Sequence, residues 1–271
     1  MKIITQKTIF DYSEIEVLGD LERCKYIIEN VPDNKIIDKL IEIRGKGRNE
    51  YPIVAMWNSI IIMPILECSS VEQLRRELSR NSDLRKLCGF NDADFYFGMC
   101  KLVPPPKAYS NLFKNLKKIR PLLKECFNEL RNFMYESLEN FGKDTGEDGK
   151  IFLSKAKSLN KDGYVNDARC DMDTDFTIKE NYYKDPKDGT TKVKKKTYFG
   201  YRIHILSDVN YELPIEYTVT KASKSEKDQL LKHMKMLPEE LRNNIDTLSA
   251  DKGYDSTKVI NCLKDLELNQ L

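Results

Sequence analysis

The segment that decides the fold reads IDTLSADKGYDSTKVI over residues 245–260. Residues 245–250 predict a strand that ends at Asp251. Gly253 allows a sharp turn, and Ser256 is in position to cap a helix that continues to about residue 266. Acids at the carboxyl ends of strands face the crevices in which open α/β sheets bind ligands. Asp251 is therefore the first candidate site residue.

Two further strand-like runs lie upstream of this segment. Residues 198–209 alternate between apolar and polar side chains, residues 212–220 are β-branched and apolar, and Asp208 begins the turn between them. Residues 225–236 suit a helix, and residues 151–153 make a short apolar strand. The order strand, hairpin, helix, strand, helix predicts a mixed sheet with helices packed on it, an α/β (α+β) fold over residues 141–271.

A second candidate carboxylate, Asp148, lies in FGKDTGEDGK at residues 141–150, whose three glycines predict a turn. A sheet that brings Asp148 and Asp251 together offers oxygen donors to Mg²⁺, which keeps several waters and needs few protein ligands. Two such ions about 4 Å apart stabilise the attacking and leaving oxygens in phosphodiester cleavage. An aspartate at the end of a strand is more often a turn or cap residue than a metal ligand. If Asp148 is not the first carboxylate, the alternatives are Asp144, Asp162 and Asp167.

The first 140 residues carry helical patterns and predict an all-helical domain, with the boundary placed between residues 140 and 141. Ser70 and Gln73 form a capping-box pattern that begins one helix, and Gly89 fits its end. Pro121 predicts a bend in a long helix over residues 110–140. Other helices are expected at residues 18–29, 34–43 and 52–66.

Residues 158–197 are polar and contain Gly163, Pro186 and Gly189, so we expect a long, partly mobile insertion. Its acidic run favours a solvated loop over a calcium site, because the spacing lacks the glycine and terminal glutamate of a loop binder. This run comprises Asp167, Asp171, Asp173 and Asp175.

Charge distribution makes a polyanionic partner plausible, although the net charge is only +2. Each basic residue taken alone is more often solvent-facing than bound to phosphate. The candidates for contact with such a partner are Arg75, Arg76, Arg80, Arg85, Lys114, Lys117, Lys118, Lys194, Lys195, Lys196 and Lys252.

Several classes of protein are disfavoured. No apolar run reaches the ~20 residues of a membrane-spanning helix, and charged residues interrupt the first twenty positions, unlike a secretory signal. The 7 cysteines include no C-x-x-C pair, which argues against a zinc site or a disulfide framework. We expect a cytoplasmic protein with reduced thiols.

The succession ADKGYD at 250–255, FGYRIHILSDV at 199–209 and ELPIEYTVT at 212–220 closely resembles the catalytic domain of bacterial DDE transposases. GRNEYPIVAMWN at 47–58, LRRELSRNSDLRKLCGFN at 74–91 and AYSNLFKNL at 108–116 resemble the helical N-terminal domain of the same family. The resemblance implies an RNase H-like core and assigns Asp251 as the second metal-binding carboxylate and Asp148 as the first. It also implies Mg²⁺ or Mn²⁺ as cofactor.

The same resemblance implies binding partners, and it also shows where this sequence differs from the family pattern. The partners are the terminal inverted repeats, the target DNA and a second copy in a homodimer, with the protein associated with the bacterial nucleoid. The family's third carboxylate is a glutamate on a helix after a further strand. The chain ends at Leu271, so we expect that strand and that glutamate to be missing and the chain to be truncated and impaired.

Two other functions stay open. The chain is alternatively a non-catalytic DNA-binding relic that competes with the full-length enzyme, or an unrelated metal-dependent nuclease or helical scaffold. Several conspicuous side chains have simpler interpretations. We expect His204 to be a hydrogen-bonded structural residue, His233 a surface helix residue, Asp208 a turn residue, and Trp57 and Tyr254 packing residues.

Overall fold

The computed structural model describes residues 19–46, 50–90, 101–157, 170–184, 189–254, 257–265 and 269–270. Of the residues singled out above, the following lie outside this part: Asp162, Gly163, Asp167, Pro186, Ser256 and Leu271; the side chain of Lys252 does so too. The chain divides into two compact units, Met1–Leu138 and Glu139–Leu271. The described part of the first is all-helical, and the second is a sheet with helices, as the expected fold class requires.

The helical unit is held together by an apolar interior. Its described helices are α1 Asp20–Asn30, α2 Asn34–Arg44, α3 Ile53–Ile61, α4 Val71–Arg80, α5 Ser82–Cys88, α6 Pro106–Lys118 and α7 Arg120–Ser137. Leu40, Leu74 and Leu78 are fully buried in one cluster. Trp57 lies in the same cluster, as expected, and its indole N–H donates to the buried carboxylate of Asp33. Each such leucine contributes about 1.5–3 kcal/mol through burial.

Two helices replace the single one expected between Ser70 and Gly89. The Ser70 hydroxyl accepts the Gln73 N–H at 3.3 Å, which is the expected N-cap. Asn81 then leaves the helical conformation, and its side chain accepts the next two free N–H groups, both at 3.0 Å, to begin α5. Gly89 ends α5 with a left-handed φ of 98°. The expected starts and ends are present, but the internal cap at Asn81 was not recognised.

Two other helices are shorter than expected. The helix predicted over residues 110–140 is divided at Ile119, and Pro121 lies in the first turn of α7, where a missing N–H costs little. The helix predicted over residues 52–66 ends at Ile61. No helix in the described part of the chain is long and apolar enough to cross a membrane.

The sheet unit has the mixed topology of an RNase H-like domain. Its elements are β1 Asp144–Leu153, β2 Asp175–Lys184, β3 Thr191–Asp208, β4 Pro214–Lys221, α8 Glu226–Met236, α9 Glu239–Asn243, β5 Thr247–Ala250, the 3₁₀ turn Lys252–Tyr254, α10 Thr257–Asp265 and β6 Asn269–Gln270. The strands lie side by side in the order β4, β3, β1, β5, β6. The strand β3 is antiparallel to β1 and β4, whereas β1, β5 and β6 are parallel.

Three expectations about this unit were wrong. Gly146 and Gly149 lie inside β1 and not in a turn, because glycine in a strand also serves where another group approaches closely, whereas Gly142 is in the expected turn with a φ of 80°. Residues 175–184 and 191–197 are not a loop, since β2 and the first half of β3 pair as an antiparallel ribbon. A strand does follow α10, because β6 pairs in parallel with β5.

The turn between β3 and β4 is built around Asp208, as expected. One carboxylate oxygen of Asp208 accepts the N–H groups of Asn210 and Tyr211 at 2.8 and 2.7 Å. The other accepts the N–H of Gly142 at 2.7 Å. Asp208 therefore fastens the chain that enters β1 to the end of β3.

Candidate metal and nucleic-acid site

The register between β1 and β5 brings the two candidate aspartates to neighbouring positions. Glu147 pairs with Ala250 as the last pair of this parallel ladder. Asp148 and Asp251 are the residues that follow on the two strands, and adjacent strands lie about 4.8 Å apart. Positions 103 residues apart in the sequence thus become neighbours at the end of β5.

Both aspartates are exposed, and within the described part of the chain neither side chain forms an ion pair. In the part of the chain that the structure describes, the Asp148 carboxylate accepts the N–H of its neighbour Gly149 at 2.7 Å. Because neighbouring residues of a strand point to opposite faces, Asp148 lies on the face opposite to the buried Glu147. The alternative candidate Asp144 is engaged instead, since its carboxylate accepts from Thr247 and Asn210 at 2.7 and 3.1 Å.

A buried polar chain fixes β1 to α8 directly beside Asp148. Glu147 Oε2 lies 2.9 Å from His233 Nδ1, and both side chains are fully buried. His233 Nε2 is 3.1 Å from the hydroxyl of Thr218, which donates to Gln229 at 3.2 Å. The hydroxyl therefore accepts from Nε2–H. Burial raises the pKa of Glu147, against the opposing effect of His233.

The expectation that His233 lies on the surface was wrong. His233 occupies the buried stripe of α8 together with Leu230 and Met234, at spacings of three and four residues. That spacing was readable in the sequence. Glu147 was missed because β1 was not expected to include it.

A second ion pair, between the largely buried Arg202 and the half-buried Glu226, lies in the same region. Arg202 on β3 donates to Glu226 in the first turn of α8 at 2.6 Å, and it reaches Thr177 at 3.3 Å. A Cβ on Gly149 would come within 2.8 Å of the Glu226 carboxylate. Gly149 thus leaves room for Glu226, which explains the glycine that follows Asp148.

Tyr254 is a buried residue close to the acids of the site. Its hydroxyl is buried and has no hydrogen-bond partner in the described structure. Burial is the main cause that raises the pKa of Tyr254, and the nearby carboxylates of Glu147, Glu226 and Asp148 raise it further. The hydroxyl therefore stays protonated and lies among three acids. Its burial is consistent with the packing role expected for Tyr254.

His204 has the structural role expected for it. The Thr220 hydroxyl donates to a backbone carbonyl and so accepts from His204 Nε2–H at 3.0 Å. The other ring nitrogen, Nδ1, is buried and has no hydrogen-bond partner among the described residues. Burial lowers the pKa of His204 to about 4, and the nearby Arg202 contributes in the same direction. His204 is therefore neutral near pH 7.

The donor chemistry around Asp148 and Asp251 fits a hard divalent ion. Both offer carboxylate oxygens, the ligands that Mg²⁺ prefers, and such an ion needs only one or two carboxylates beside its waters. Among the described residues, however, no three His, Cys, Asp or Glu side chains are arranged to hold one ion. The two aspartates are therefore the candidate ligands.

Lys252 apart, whose side chain is not described, the candidate DNA-contacting residues fall into three groups. Arg76, Arg80, Lys114, Lys117, Lys118, Lys194, Lys195 and Lys196 are exposed. Arg75 is half-buried and donates to Pro104 and Glu72 at 2.8 and 2.7 Å. Arg85 is buried, and its guanidinium donates to the carbonyls of Leu78 and Ser79 at the end of α4. Arg85 is accordingly left out of the candidate DNA-contacting set, and so is Lys195, whose ammonium forms an ion pair with Glu180 at 2.7 Å.

Two family models match the chain. The model described as Transposase domain (DUF772) matches residues 18–96, in the helical unit. The model described as Transposase DDE domain matches residues 172–271, a range that contains Asp251 and excludes Asp148. No curated protein and no solved structure matches the chain.

Proposed function

We infer that this chain, which belongs to the DDE transposases of insertion sequences, cuts DNA at the ends of its element and joins those ends to target DNA. In this proposal Asp148 and Asp251 hold Mg²⁺ or Mn²⁺. The observation that supports it is the register of β1 and β5, which makes the two aspartates neighbours on parallel strands.

In this proposal, residues of the chain bind the metal ion, and other residues hold those ligands in position. A divalent ion, when bound, supplies Lewis-acid stabilisation of the attacking and leaving oxygens of a phosphodiester. Asp148 and Asp251 present oxygen donors on an exposed surface that DNA can reach. The Glu147–His233 pair fixes the strand position of Asp148, and Arg202 with Glu226 fixes the start of α8 beside Gly149.

DNA recognition is proposed for both units. Arg76, Arg80 and the exposed lysines of α6 provide basic side chains on the helical unit. Phosphate contacts of this type position DNA without reading its sequence. By analogy with the family, the active form is a homodimer that bridges two ends.

The test is metal-dependent nicking of a supercoiled plasmid that carries the two ends of the element encoding this chain. We expect nicking with Mg²⁺ or Mn²⁺ and none with EDTA. Asp148→Asn and Asp251→Asn should each reduce nicking by about 10³-fold or more, since each removes a metal ligand at the reacting phosphate. Asp246→Asn, at the opposite end of β5 and also exposed, is the matched control and should keep wild-type activity. Equal activity in all three variants would contradict the proposal.

A second candidate function is DNA binding without cleavage. It is favoured by the lack of a three-residue metal group among the described residues. This function predicts no nicking at any metal concentration, together with binding to end DNA that weakens steeply with salt. Nicking that Asp251→Asn abolishes would exclude it.

A further inference from the structure

The ribbon formed by β2 and the first half of β3 has two chemically different faces. In its antiparallel register Lys179 is opposite Lys196, and Tyr183 is opposite Lys192. Lys194, in the pair between these two, and Tyr198 share that side because residues alternate along a strand. We define the lysine face as Lys179, Lys192, Lys194 and Lys196 together with Tyr183 and Tyr198. Between residues 177 and 183 and between 192 and 198, this face contains no acid.

The opposite face carries two lysines, Lys184 and Lys195, and one acid, Glu180. Lys195 lies there opposite Glu180, and their side chains form an ion pair at 2.7 Å. The hydroxyl of Tyr182 donates to the same glutamate at 2.9 Å. Isoleucine, valine and phenylalanine side chains fill most of the remaining positions on this face. The two faces thus share one backbone but differ in net charge.

On the lysine face, positively charged side chains on the two paired strands repel each other. Like charges directly opposite each other on paired strands destabilise the pairing. Lys179 and Lys196 are such a pair, both are exposed, and neither forms an ion pair with an acid in the described part of the chain. Lys196 instead lies 5.1 Å from the ring of Tyr198. A polyanion laid across this face would relieve the repulsion.

We propose that the lysine face of the β2–β3 ribbon binds the phosphate backbone of duplex DNA. The choice of DNA rests on the proposed function, whereas the charge of the face does not. Lysines two residues apart on a strand are separated by about 6.7 Å, roughly twice the 3.4 Å axial repeat of phosphates on one DNA strand. A two-stranded ribbon also fits the width of the major groove.

The experiment compares two double variants of the full chain that remove the same charge from opposite faces. Lys194→Gln with Lys196→Gln changes the lysine face, and Lys184→Gln with Lys195→Gln changes the other. Binding of a labelled duplex carrying one element end is followed by fluorescence anisotropy in EDTA over a range of salt. All four positions are exposed, so circular dichroism should show unchanged folding.

The lysine-face variant should bind about tenfold more weakly for each lysine removed at 0.1 M salt, and its salt slope should fall by about 2. The opposite-face variant should bind like the wild type. Equal losses from both variants, or no loss from either, would overturn the inference while leaving DNA binding intact. No binding by the wild-type chain would overturn the proposed function as well. Tighter binding of an RNA duplex through the same face would overturn the choice of DNA.

Discussion

The interiors of the two units are stabilised in different ways. The helical unit buries a cluster of aliphatic and aromatic side chains, and the buried Arg85 donates hydrogen bonds to backbone carbonyls. The inner face of the sheet instead contains ionisable groups that depend on one another. Glu147 and His233 are both fully buried, and the largely buried Arg202 pairs with the half-buried Glu226. Apolar packing loses stability gradually when atoms are removed, whereas a buried pair loses much when one partner disappears. The interior that depends on buried ionisable pairs is the one that lies beside the two exposed aspartates.

The strongest test of this difference is His233→Leu. The change leaves the fully buried Glu147 without its partner, and we expect a loss of about 3–5 kcal/mol in the free energy of unfolding. Urea denaturation of the full chain, followed by circular dichroism, measures it.

The control is the double variant with Glu147→Leu added. Removal of both partners leaves no unpaired charge, so the double variant should recover part of the stability lost in the single one. Losses that simply add would show that the pair is not coupled and would remove the contrast between the units.

The second test uses pH. His204 has a pKa of about 4 in the folded chain against 6.5 in the unfolded chain. The unfolded chain therefore binds a proton first, so stability falls as pH drops from about 6.5 to about 4, and the contribution is absent near pH 7. Over this pH range the free energy of unfolding should fall by about 3 kcal/mol because of His204.

His204→Gln should remove this pH dependence while keeping a donor toward Thr220. Urea midpoints at pH 7, 5.5 and 4.5 for both proteins measure the effect. A wild-type chain whose stability relative to the variant does not change over this range would contradict the assignment of a neutral buried imidazole.

The smallest expected effect belongs to the helical unit. Arg85→Met removes the donor for the carbonyls of Leu78 and Ser79, which should cost about 2 kcal/mol. The salt slope of DNA binding should not change. The exposed Arg76→Met is the counterpart, with little effect on stability. A lower salt slope for Arg85→Met would return Arg85 to the DNA-contacting residues.

Much of the fold could be predicted from local signals. Ser70, Gly89 and Ser225 mark helix ends through the groups they satisfy, and the alternation after Tyr198 identifies a half-buried strand. The ribbon escaped prediction because strands rich in lysine and lacking a buried face give no hydrophobic alternation. The cap at Asn81 escaped because an asparagine inside a helical pattern is equally compatible with a continuous helix.

The site was predictable only in part. Asp251 follows a recognisable strand and precedes a recognisable turn. Glu147, Arg202 and Glu226 carried no local signal, because their pairing depends on a register between distant elements. Gly149 was assigned to a turn, although its role is to admit Glu226.

The uninterrupted course of β3 has a mechanical consequence. Its 18 residues, about 60 Å when fully extended, pair with β2 along the first half and with β1 along the second. A load applied to the tip of the ribbon is therefore carried by one unbroken backbone into the ladder that contains Asp148. The ribbon and the layer that contains Asp148 therefore share one continuous strand, and Gly200 is the residue at which both ladders meet.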